Sequence, residues 1–167
     1  MEATQTWELA SYVVTVIGLP VAIGIFLYEQ RKERENEEEA GYLQLSDAYA
    51  RFLELVLEHP DLQLRSLKRT PNLTPEQHER MLLIFDELVS LFERAHIVLY
   101  DEHLEGRALR RWRTWEDWIR EWCRREDFRD LLPDLLRSED PEFAAYIRRL
   151  AAEEMAKEQD RLVLVRS

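Results

Sequence analysis

The side chains best suited to chemistry are few: the chain has four histidines and one cysteine. Glu93 and His96 form one E-x-x-H, the helical spacing that offers a carboxylate and an imidazole to a di-iron site in a four-helix bundle. Such a site needs a second E-x-x-H and two further glutamates, yet Pro75 and Tyr100 stand three residues before His78 and His103. His96 falls inside the apolar arc of its helix, which predicts a core histidine with satisfied hydrogen bonds. There is no H-E-x-x-H, and no Arg stands before a His in the R-x4-H or R-x6-H arrangement of small all-α ribonucleases. The four glycines are isolated, so no phosphate-cradling loop is present. Cys123 shares a helix face with Trp112 and reads as a buried structural thiol, and a lone cysteine excludes an intramolecular disulfide and any multi-cysteine metal site. These residues predict no catalytic site, no cofactor and no metal.

A basic stripe is the more informative pattern. Arg110, Arg113, Arg120 and Arg124 recur along one helical segment, and residues 107–129 hold eight Arg against five acids within a chain of net charge −11. Two readings stay open. The stripe contacts anionic lipid headgroups or an anionic ligand, with Trp118 or Trp115 as stacking partner. Alternatively it is an outer face balancing the acidic remainder through pairs such as Arg113 with Asp117 and Arg120 with Glu116 or Glu121. The overall acidity counts against nucleic acid as a partner. The W-x2-W-x2-W-x3-W run from Trp112 to Trp122 is core filling first, with Trp118 at the edge of the apolar arc.

These residues must be positioned by helices. With 46% hydrophobic and 34% charged residues but only four Gly and six Pro in 167 positions, the chain is too apolar for disorder and too poor in turn residues for a many-stranded β fold. Residues 9–28 carry no charge, and eleven of these twenty are Leu, Ile, Val or Phe, a length and composition that predict a transmembrane helix. Trp7, Tyr12 and Tyr28 stand where interfacial rings sit, and the absence of Lys or Arg in residues 1–8 argues against a signal peptide. Cations only on the far flank, at Arg31, Lys32 and Arg34, place residues 1–8 outside and the rest in the cytoplasm. Gly18 and Ala22 form a small-xxx-small pair suited to close packing against a second span, although such residues are common in membrane helices anyway.

Residues 29–41 read as a charged helical stalk and 42–158 as a bundle of about four helices, with 159–167 as a tail. The first packed helix carries Tyr42, Leu45, Tyr49, Phe52, Leu53 and Val56 and ends near His59-Pro60. Thr74-Pro75-Glu76-Gln77 is a capping box with Pro at the first helical position, starting a central helix to about Tyr100. A third helix spans about 107–125; a bend around Pro133 follows, and Asp140-Pro141-Glu142 starts the last helix, to about Lys157. The fold class expected is therefore all-α.

The tract LFERAHIVLYDEHLEGRALRRWRTWEDWIREWCRREDFRDLLPDLL, followed by SEDPEFAAYIRRL, resembles small bacterial membrane proteins with one N-terminal transmembrane helix and a Trp-containing all-α cytoplasmic domain. The likeness covers about residues 80–150 and the anchor, and it implies topology without an activity. The anchor-plus-bundle plan is also similar to that of membrane effectors encoded beside prokaryotic phage-defence systems, an analogy of architecture. Two functions are expected. One is an inner-membrane interaction or regulatory module without catalysis, whose partners are the lipid bilayer, another protein or a second copy of itself. The other is an oligomeric, membrane-perturbing or pore-forming effector.

Overall fold

The computed structural model describes the backbone of residues 2–166 and the side chains of 21–34 and 36–161. Among the described residues are five α-helices: α1 (Glu2–Glu58), α2 (Pro75–Leu99), α3 (Gly106–Cys123), α4 (Glu126–Leu135) and α5 (Pro141–Arg166), with one 3-10 turn at Pro60–Leu62. No strand occurs among the described residues. The chain divides into two units, Met1–Leu43 and Gln44–Ser167.

In the first unit, α1 presents Val21, Ile23, Ile25, Phe26, Leu27 and Tyr28 at 49–68% exposure. Six large apolar side chains bare within eight residues are far more than a water-facing helix normally shows. Among the described residues no helix is long and apolar enough to cross a membrane; of the expected span 9–28, the side chains of 9–20 lie outside the described residues. Gly18 lies outside them too, while Ala22 is exposed on α1. The charged segment is helical as its i,i+4 pairing predicts, with Arg34 Nε 3.9 Å from Glu38 Oε1. At that distance, and with both groups largely exposed, the pair adds little.

In the second unit, Tyr49, Phe52 and Val56 of α1 are buried, matching the three- and four-residue spacing of that stretch. The Thr74 side chain accepts from the Gln77 N–H, and the Gln77 side chain accepts from the Thr74 N–H. This reciprocal box starts α2, whose Phe85, Leu88, Val89 and Phe92 are fully enclosed. Gly106 opens α3 at φ +56°, a conformation that costs any residue with a Cβ about 1–2 kcal/mol. From there Trp112, Trp115, Ile119, Trp122 and Cys123 form the inner face of α3. Trp122 Nε1 donates to Tyr49 Oη at 3.2 Å and Trp112 Nε1 to Tyr146 Oη at 3.1 Å, which lets two large indoles sit in the core with their polar edges satisfied.

Two sequence expectations need correcting. The segment around Pro133 is a helix rather than a bend, because Phe128, Leu132 and Leu135 bury one face of α4 while Pro133 stays exposed near its end. Tertiary burial there outweighs the missing backbone donor. The last helix also runs past Lys157 into the segment expected as a tail, since α5 extends to Arg166. The side chains of 162–167, including the apolar run 162–165, lie outside the described residues.

Candidate functional site

Half of the basic stripe is structural. Arg120 Nε donates to Glu116 Oε1 at 2.8 Å, and its Nη1 donates to Glu153 Oε2 at 2.7 Å and Glu154 Oε1 at 3.3 Å. Arg124 Nε donates to Glu154 Oε2 at 3.0 Å, and Lys157 Nζ to Glu154 Oε1 at 2.7 Å. Burial raises the Glu154 pKa, but hydrogen bonds and charge from Lys157, Arg124 and Arg120 outweigh it and hold the carboxyl at about 2. This network rivets α3 to α5. Arg110 and Arg113 are exposed, without an acidic partner among the described residues, and the expected Arg113–Asp117 pair is not formed. Trp118 is half-buried and stacks on Tyr49, with centroids 4.2 Å apart and planes at 14°. The five residues therefore do not converge on one surface pocket: three are tied into packing and two remain free cations.

Cys123 is fully buried and its thiol is pushed up to about 12, chiefly by burial, which removes the thiolate a nucleophile needs. The two groups of the E-x-x-H go separate ways. Glu93 accepts from the Asp140 N–H and bonds Glu139, whose carboxyl is pushed up to about 7 by burial and by the Glu93 hydrogen bond and charge. Ser90 Oγ donates to Glu139 Oε1 at 3.4 Å. His96 is 6% exposed, stacked on Tyr100 at 4.6 Å and tilted against Tyr146 at 5.0 Å. Burial pushes its pKa down against the pull of Asp140 and Glu142, so the ring is neutral near pH 7. The expectation of a satisfied core histidine is half right: Nε2 is buried but has no hydrogen-bond partner. His96 also lines a shallow recess of about 430 Å³ with Tyr100, Tyr146 and Arg149. Among the described residues no group of three or more His, Cys, Asp or Glu could hold a metal.

A different feature has the form of a docking site. Between α2 and α4 runs a groove of about 490 Å³ whose apolar residues are Leu82, Leu83, Leu131 and Leu135. Leu83 is 65% exposed, high for a leucine flanked by three other apolar side chains. Glu79, Asp86 and Asp134 stand along the groove with His78. Glu79 and Leu83, like Leu82 and Asp86, are four residues apart on α2 and so lie one turn above each other. Asp134 pairs with Arg137 at 2.6 Å, but both are mostly solvent-exposed, so the pair is easily exchanged. The sequence signal for this groove was the FRDLLPDLL spacing, hidden once Pro133 is taken as a breaker.

Compared with protein-family models, with curated proteins and with solved structures, the chain matches none.

Proposed function

We propose that the chain is a membrane-anchored helical interaction module without catalytic activity, with residues 9–28 as the anchor and the second unit as its cytoplasmic binding domain. The observation that carries this reading is the α2–α4 groove, whose leucines are flanked by carboxylates. Its chemistry fits an amphipathic helix with an apolar seam flanked by Lys or Arg. Burial of the leucines supplies affinity, and Glu79, Asp86 and Asp134 select against acidic segments. Support for the anchor comes from the bare apolar stretch Val21–Tyr28 and from Arg31, Lys32 and Arg34 directly after it.

The test uses the full chain in nanodiscs of zwitterionic lipid, titrated with a labelled helical peptide carrying a leucine seam and lysine flanks, with empty discs as background. Binding above background is expected, weakened by salt and lost in Leu83→Asp, an exposed substitution that leaves the fold intact. Equal binding by the wild type and Leu83→Asp, or none by either, overturns the reading.

A further inference from the structure

The groove has a complementary segment within the chain itself. Residues 161–166 read Arg-Leu-Val-Leu-Val-Arg, four consecutive aliphatic side chains bounded by a cation at each end. They stand on α5, whose helix continues to Arg166. Met155, seven residues before Leu162 on the same helix, is 47% exposed, with Glu158 and Gln159 in the turns between. The groove mirrors this order: leucines in the middle, carboxylates alongside.

We infer that the occupant of the α2–α4 groove is the 161–166 segment at the end of α5 from a second copy of the chain, an inference that rests on the docking reading above. The aliphatic run 162–165 supplies the apolar surface that Leu83 and Leu131 lack, and the cations at either end of the run match the charge of Glu79, Asp86 and Asp134. Each copy carries both the groove and the face, so a two-fold dimer forms the contact twice, and a pair too small to hold alone becomes two coupled ones. Confinement of both copies to one membrane would raise their effective concentration further. Self-association then depends on salt, because part of each contact is an exposed charge pair.

The experiment measures the mass of the full chain in mild detergent at micromolar concentration, by light scattering, for five samples. These are the wild type, a 1–160 truncation, the groove reversal Glu79→Lys/Asp86→Lys, the helix reversal Arg161→Glu/Arg166→Glu, and an equimolar mixture of the two reversals. All substituted positions with described side chains are exposed, and a thermal melt of each sample confirms an intact fold. The wild type is expected to be dimeric. The truncation and each reversal alone are expected to dissociate at least about tenfold more readily, and the mixture to recover dimer, since one of its two contacts has both charges swapped and attracts again. A monomeric wild type overturns the inference, as does a truncation that dimerises like the full chain or a mixture that gains nothing. The docking reading survives any of those results if the lysine-flanked peptide still binds the groove, and it falls separately if no peptide binds.

Discussion

At the scale of single residues, the most consequential side chain is one that the basic-stripe reading passed over. Arg125 is 1% exposed and Asp127 4%, and their charges meet with Nη2 donating to Oδ2 at 2.8 Å. Nε also stands 2.5 Å from Oδ1, a charge contact in which neither atom makes a hydrogen bond. The rest of the guanidinium fastens the 63–70 loop, donating to Gln63 O at 2.7 Å, Ser66 O at 3.0 Å and Thr70 Oγ1 at 2.8 Å. Gln63 adopts φ +46°, a left-handed conformation held in place by this bond to its carbonyl. Arg125→Met strands the Asp127 carboxylate and is expected to cost about 3–5 kcal/mol, whereas Arg125→Met/Asp127→Leu recovers much of the loss. Urea unfolding of the four members of the cycle checks this; equal losses in single and double variants would mean the loop bonds, rather than the ion pair, carry the effect. Glu139 makes a second prediction. Its folded-state pKa, raised to about 7 against an ordinary 4.5, means the native state holds a proton that the unfolded chain releases. Its contribution is full below pH 4.5 and is lost as pH rises through 7. His96, with its pKa lowered, acts in the opposite sense, withdrawing stability as pH falls below about 6.5. Glu139→Gln should therefore melt higher than the wild type at pH 8 and show a flatter fall between pH 5 and 8; parallel curves would contradict the shared proton.

Elements explain how much the sequence could reveal. The Thr74–Gln77 box, the 49, 52, 56 spacing and the Trp-bearing face of α3 are local patterns, and each lands where the structure has it, since one helix's own periodicity decides it. What stayed hidden depends on neighbours. Glu154 has no local pattern that marks it as the hub for Arg120, Arg124 and Lys157, because the first two lie 34 and 30 residues away on another helix. Arg125 looked like part of a solvated cationic segment until the 63–70 loop closed over it. Pro133 masked α4, and with α4 went the groove it forms with α2. The stripe itself thus divides by element contact, which yields the third prediction. Arg120→Ala removes bonds to Glu116, Glu153 and buried Glu154 and is expected to cost about 1–3 kcal/mol. Arg110→Ala and Arg113→Ala, on exposed side chains, should stay within about 0.5 kcal/mol. Comparable denaturant midpoints for all three would show that the α3–α5 network adds nothing.

At the scale of the whole molecule, the two units differ in how much of their large apolar surface is bare, and this sets the last prediction. The unit Gln44–Ser167 holds a core among α1, α2, α3, α4 and α5 in which Trp115, Phe92, Phe128 and Phe143 are fully buried. Deleting one of them, as in Phe92→Ala, should cost about 3–5 kcal/mol through the cavity left behind. In Met1–Leu43 the large side chains from Val21 to Tyr28 are instead bare. In the anchor proposed above, hydrocarbon would cover these side chains, and the cations at Arg31, Lys32 and Arg34 predict that the chain after them faces the cytoplasm. Limited proteolysis of the full chain in a bacterial inner membrane tests both halves at once. In intact spheroplasts the whole of 29–167 should resist added protease. After lysis, trypsin should cut the charged segment after the exposed Arg31, Lys32 or Arg34 and release a resistant fragment that begins between residues 32 and 35. Digestion of the domain in intact spheroplasts would reverse the topology. Recovery of the chain in the soluble fraction would remove the anchor, and rapid degradation after lysis without a resistant fragment would mean that the second unit does not fold on its own core.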